Sequence, residues 1–216
     1  TLVLGFAALA TALIVGVPLG CLSVMRRGTA ADAVIGVVSV AVIAVPSFVV
    51  AIYSLLLFSV TLRWLPAIGA GDPGDIPSQI AALILPALAI ALGWIGYISR
   101  MVRASMIEVM TRPYIRTAVL KGMKFRDVIM KHALRNAMIA PFTVILLQIN
   151  YLVTGVVVVE AVFAYPGFGR MMLEAALSQD IAVIEAGALF SVLVAVVTQI
   201  VGDFGYMLLN PRIRFS

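Results

Sequence analysis

The sequence predicts an all-α polytopic membrane protein, and three observations carry that prediction. Hydrophobic residues make up 63% of the 216 residues and charged residues only 12%, against about 45–50% and 25% in a soluble domain. Mean hydropathy is +1.14. Five runs, 1–25, 33–62, 76–99, 136–159 and 186–202, contain no Asp, Glu, Lys or Arg. These figures exclude a disordered chain, a fibre and an ordinary soluble enzyme. They also exceed what one soluble core can hold, so apolar side chains are left to face lipid.

Each run is justified in order. A spanning helix needs roughly 20 mostly apolar residues, and the first four runs exceed that. The fifth continues past Asp203 through Phe204 to Leu209 and is then long enough. About five spanning helices are expected. None of the runs alternates apolar and polar residues, so barrel strands are a poor reading. Thr1 opens directly into an apolar run with no basic segment before it, which argues against a signal peptide. The numbering is expected to begin within a longer protein that has at least one earlier helix. Pro18, Pro46, Pro86 and Pro141 lie within or at the ends of spans and are candidate kinks. Gly16 with Gly20, and Gly202 with Gly205, are spacings for close helix packing. Gln148, Asn150, Thr198 and Gln199 suit hydrogen bonds between helices. Asp203 is the acid inside an apolar run, a functional candidate by its position, although a structural pairing near the helix end explains it equally simply. Cys21 has no second cysteine to pair with, and His132, the single histidine, has no neighbouring metal-ligand partners in sequence.

Charge sets the expected orientation. Arg26 and Arg27 follow the first run, nine Lys and Arg between Arg100 and Arg135 follow the third, and Arg212 and Arg214 close the chain. Only Arg63 and Arg170 occupy the alternate connections. The positive-inside rule places the thirteen in the cytoplasm, so the chain starts outside and ends inside. The net charge of +5 is then a topology signal. Nucleic acid is not an expected partner, because the basic residues lack interleaved aromatic platforms.

Of the two outer loops, residues 63–78 hold three prolines and three glycines and read as turns. The second, from about Glu160 to Glu185, joins a Pro-Gly turn to a short helix-prone stretch expected along the outer membrane face. Residues 100–136 are too long for a simple connector. Pro113 suits a first helical turn. Tyr114, Ile115, Ala118, Val119 and Gly122 then share one stripe, with Arg116, Lys121 and Lys124 off it. Phe125, Val128, Ile129, His132 and Ala133 form a second stripe. Such a hairpin either lies on lipid headgroups or docks a protein partner, and the pattern alone does not choose.

The stretch Tyr114-Ile-Arg-Thr-Ala-Val-Leu-Lys-Gly122, followed by His132-Ala-Leu-Arg-Asn136, resembles the cytoplasmic signature of ABC-importer permeases. That signature reads E-A-A, three residues, G, nine residues, I-x-L-P. Thr117 and Ala118 take the small positions, Gly122 the glycine and Leu134 the leucine. Arg116, His132 and Arg135 depart from it in the manner of the dipeptide/oligopeptide/nickel branch. The resemblance continues in Val158-Val-Glu160, Val162-Phe163, Tyr165-Pro-Gly-Phe-Gly169 and Asn210-Pro-Arg-Ile-Arg214, and so covers essentially the whole chain.

The resemblance implies a type I ABC importer transmembrane domain over residues 1–216, with a cytoplasmic coupling loop at 100–136, in the bacterial inner membrane. It implies a second, similar permease, two ABC ATPase subunits and an external solute-binding protein as partners, beside the lipid bilayer. No cofactor is implied for this chain, ATP being bound by the partner subunits. Tyr114, Ile115, Thr117, Ala118 and Gly122 would couple to the ATPases. Glu160, Tyr165, Pro166, Gly167 and Gly169 are candidates for an outer gate or loop. Because Arg116 stands where relatives carry Glu, any role of that acid is not carried over. The chain lacks a G-x-x-x-x-G-K-[ST] phosphate loop, so it is not itself expected to hydrolyse ATP. The resemblance implies di- or oligopeptides as the expected cargo, and the little fixed charge of the spans suits a zwitterionic or varied solute. Nickel chelates, glutathione and opine-like solutes are the alternative. A membrane enzyme lacks support from paired intramembrane aspartates or HExxH, and a secondary transporter from an inverted repeat.

The topology is directly testable. Cysteines placed at Asp72 and Gln179 are expected to react with an impermeant thiol reagent in intact cells, and one at Lys124 only after the membrane is opened. Labelling of position 124 in intact cells reverses the orientation.

Overall fold

The computed structural model describes residues 1–139, 141, 142, 145 and 156–209, with side chains described up to residue 201. Helix α1 (Leu2–Met25) descends to a short turn. There, α2 (Ala30–Ala44) starts back and stops at a break. Beyond it lie α3 (Ser47–Ser54) and a π-helical continuation, Leu55–Thr61. A loop then leads to α4 (Ile76–Met110), the longest element at 35 residues. A hairpin follows, made of α5 (Pro113–Leu120) and α6, which starts at Phe125–Asp127, widens to a π turn at Val128–Ala133 and ends at Leu134–Ala137. The chain closes with α7 (Val157–Val162), α8 (Phe168–Leu177) and α9 (Ile181–Leu209).

Three described helices, Leu2–Met25, Ile76–Met110 and Ile181–Val201, are long and apolar enough to cross a membrane. The second charge-free run differs from the single straight span expected. Its halves meet at 96°. Val45 is extended (φ −83°, ψ 122°), as a β-branched residue before proline prefers, and Pro46 has no N–H with which to continue the ladder. Pro18 and Pro86, by contrast, sit inside α1 and α4 without ending them. The third run also differs, because its helix continues beyond residue 99 to Met110. Charge ended the apolar run there, but Arg100 and Arg103 do not oppose helix formation. Most of the fourth run, including Gln148 and Asn150, lies outside the described residues, as does the Asn210–Arg214 motif.

The bundle is organised on α4. Helix α1 runs parallel to it, and the small residues expected to allow close packing do so. A β-carbon on Gly16 would lie 3.1 Å from the Ile95 carbonyl oxygen, and one on Gly20 only 2.7 Å from that of Ser99. From the other side Gly96 approaches α2, where a β-carbon would meet the Ser39 carbonyl oxygen at 2.5 Å. Apolar burial drives little association in lipid, so such backbone approach is the main adhesive. Leu4, Ala8 and Ala12 on α1 and Leu85, Ala91, Ile98 and Val102 on α4 are fully or nearly fully buried in the common core. Helix α9 stands apart: 6% of its most apolar window is buried by the chain, against 50% for α4.

Gly96→Val is expected to destabilise the detergent-solubilised protein by about 1–3 kcal/mol, the usual cost of overpacking. Gly36→Ala, where a β-carbon meets nothing within 4 Å, is expected to be neutral or slightly stabilising. Thermal unfolding of the two variants checks the contrast.

Candidate functional site

The hairpin sits at the basic end of α4. Arg112 is the N-cap of α5 and Pro113 opens it, as the sequence indicates. Its exit is a Schellman turn. The Gly122 N–H donates to the Val119 carbonyl at 2.9 Å and the Met123 N–H to that of Ala118 at 3.4 Å. Gly122 itself has φ +75°, the left-handed region that disfavours side chains. Helix α6 folds back so that Val128, Ile129 and Ala133 are completely buried. They join Ile115, Ala118 and Met106 in one apolar cluster that continues up α4.

This placement corrects part of the expected docking face. Ile115 and Ala118 point into their own chain, at 2% and 7% exposure, so neither is available to a partner. Tyr114, Thr117 and Gly122 remain exposed, and Leu120 is the most open apolar residue of the hairpin at 80%. Tyr114, Thr117 and Leu120, spaced by three, share the outward face. The sequence stripe marked an apolar side of α5 without saying that the chain's own α4 would cover it.

At the opposite end, α7 and α8 make a corner around Glu160, which is fully buried. The Tyr165 N–H donates to the Glu160 main-chain carbonyl at 2.8 Å, and the Arg170 N–H to Glu160 Oε2 at 3.0 Å. The Thr1 hydroxyl donates to Glu160 Oε1 and accepts from the Phe168 N–H. Gly167 abuts the carboxylate directly, and a β-carbon on Gly169 would lie 2.9 Å from Oε2. Gly167 is therefore required by the acid it abuts, and Gly169 by Val157, whose Cα a β-carbon would approach to 2.8 Å, as well as by the acid. The loop after α3 is tied to this corner through the Gly69 N–H, which donates to the Phe163 carbonyl at 2.7 Å. Tyr165 and Pro166 line a cavity beside that loop. Burial, and secondarily the Glu160 charge, push the Tyr165 phenol above its ordinary pKa, which keeps it a neutral donor.

One network escaped the sequence reading. Arg103 on α4 grips Asp32 on α2 in bidentate fashion, Nε to Oδ1 at 2.8 Å and Nη2 to Oδ2 at 2.9 Å. The Ser23 hydroxyl on α1 donates to the same carboxylate and accepts from Arg103 Nε at 3.0 Å. The Gly28 N–H adds a bond of 3.2 Å. Asp32 thus fastens three helices at the basic end. It also lies in the first turn of α2, where a negative charge is favourable. Its partner is 71 positions away, and Arg103 was counted only among the topology-setting cations. Asp203 lies within α9, and its side chain is outside the described residues.

The apolar bundle with an amphipathic hairpin at one end has counterparts among solved structures. An inward-facing form of the MetNI methionine ABC transporter superposes with a TM-score of 0.76, covering 97% of this chain and 92% of that one at 17% identity. The fold is therefore that of a type I ABC importer's membrane domain. Residues 16–215 match the binding-protein-dependent transport system inner membrane component family, and the chain belongs to that family. It is a multi-pass importer permease of the inner membrane. A putative peptide transport system permease of Brucella abortus is 39% identical over all of this chain and 69% of its own length. The oligopeptide transport system permease AppB of Bacillus subtilis is 34% identical over the same shares. The dipeptide permease DppB of that organism is 35% identical over 98% of this chain.

Removing either partner of the Asp32–Arg103 pair is expected to lower the melting temperature, because the other charge is then left uncompensated. Asp32→Ala and Arg103→Ala together are expected to cost less than the sum of the singles. Strict additivity shows that the pair does not hold the helices.

Proposed function

We propose that this chain is one permease subunit of an ATP-driven importer of di- or oligopeptides. It pairs with a second permease, rests on two ATPase subunits at its basic, cytoplasmic end, and receives solute from an external binding protein at the opposite end. The peptide assignment draws on the relatives named peptide, oligopeptide and dipeptide permeases. The observation that carries the coupling assignment is the two-sided hairpin. One side, Ile115, Ala118, Val128 and Ile129, is buried against α4. The other leaves Tyr114, Leu120 and Phe125 apolar and exposed. A helix fixed on one face and unpartnered on the other is suited to transmit a push. ATP-driven closure of the ATPases moves it, and α4 follows because α5, α6 and α4 share one core. Glu160, Tyr165, Pro166, Gly167 and Gly169 shape the outer corner where the binding protein delivers its cargo.

Two variants test this together. Leu120→Asp is expected to leave the permease folded and inserted but to weaken assembly with the ATPases about a hundredfold. An unpaired charge at an apolar interface costs several kcal/mol, and each 1.4 kcal/mol is tenfold in affinity. Peptide-stimulated ATP hydrolysis and uptake fall with it. Ala118→Arg, on the buried side, is expected instead to destabilise the permease before any partner binds. A Leu120→Asp complex that assembles and couples like the parent makes the hairpin a lipid-surface element.

A further inference from the structure

The break between α2 and α3 lies level with the middle of α1 and of α4. Helices α1 and α4 are parallel, with Gly16 facing Ile95 and Ile98, and Gly20 facing Ser99 and Val102. The centre of the 24-residue α1 is therefore level with Gly93 and Trp94. A helix end leaves its last carbonyls and first N–H groups without ladder partners. In a membrane such backbone is tolerated only where protein covers it or a water-filled cavity receives it. Here a cavity of about 300 Å³ adjoins the break, lined among others by Pro46, Ser47, Ile90, Gly93, Trp94 and Tyr97. Among the described residues that line it, none is charged. Gly93 opens onto free space, because a β-carbon there meets nothing within 4 Å.

We infer that this mid-membrane cavity is a solute contact point on the translocation path, and that it takes peptides through their uncharged groups. The inference rests on the peptide-importer reading above. Among the described lining residues, the Ser47 and Tyr97 hydroxyls and the Trp94 indole N–H are able to hydrogen-bond a passing amide. The Trp94 and Tyr97 rings and Ile90 receive apolar side chains. A site of neutral donors, acceptors and aromatic surface discriminates weakly among peptide sequences. That suits a channel whose cargo varies, and it leaves selection to the binding protein.

The test uses the full-length permease assembled with its sister permease and ATPases in lipid nanodiscs. The native thiol, Cys21, is buried at 6% exposure and gives the unreacted background. Cysteines are placed singly at Gly93, at Tyr97 and at Ile14, which is level with the cavity on α1 and 73% exposed. A charged methanethiosulfonate reagent is expected to modify positions 93 and 97 at least tenfold faster than position 14. Dialanine supplied with the binding protein and ATP is expected to slow modification at 93 and 97. Rates at 93 and 97 no greater than at 14 mean that lipid or another protein surface fills the cavity, and they overturn the inference. Fast modification that dialanine does not slow makes it a water-filled crevice only, and overturns it equally. A permease that recruits no ATPase overturns the importer reading instead, whatever the thiol rates are.

Discussion

Gly20 comes so near α4 that a β-carbon would sit 2.7 Å from the Ser99 carbonyl oxygen, and Gly96 approaches α2 more closely still. These backbone approaches are the constraint on which the rest of the chain depends. In lipid, burying one apolar side chain against another gains little over burying it in acyl chains, so helices adhere where small residues let dispersion contacts accumulate. With α1 on one side and α2 on the other, α4 becomes a fixed strut. The Asp32–Arg103–Ser23 network closes the same three helices at the basic end, where water and headgroups make a charged clamp affordable.

The 35 residues of α4 then connect two places that matter for transport. Its middle, at Gly93 and Trp94, borders the cavity beside the broken helix. Its far end, at Met106, is buried with Ile115 of α5 and Val128 and Ile129 of α6. The hairpin and the helix break are thus joined through one continuous helix. Packed interfaces of this kind move as units rather than deforming smoothly. The Glu160 corner plays the complementary role at the opposite end. There a buried carboxylate, two close-packed glycines and the Gly69–Phe163 hydrogen bond hold the loops together.

Much of this was legible in the sequence because lipid imposes simple rules. Charge-free runs marked α1, α4 and α9, Pro113 and Gly122 bounded α5, and the Gly16–Gly20 spacing announced a tight seam. What was not legible depended on distant partners. Pro18, Pro46 and Pro86 look alike in sequence, yet of the three only Pro46 ends a helix: Pro86 is buried inside α4, and Pro18 lies exposed inside α1. The stripe on α5 told which residues share a side but not that Ile115 and Ala118 would be covered by the chain itself. Asp32 and Arg103 lie 71 positions apart, and no local pattern joins them. At the Glu160 corner, the Pro-Gly turn was visible, but the reasons for Gly167 and Gly169, the buried Glu160 carboxylate and the close approach of Val157, appear only in three dimensions.

The central claim is that α4 and the hairpin move as one body. Spin labels at Lys121 on the hairpin and at Tyr97 on α4, in the assembled transporter, measure it by electron–electron distance spectroscopy. Between the nucleotide-free and ATP-trapped states, the distance within one permease should stay constant, while the distance between the hairpins of the paired permeases changes. A change within one permease of about 5 Å, the size of a one-turn slip between elements, would contradict the account.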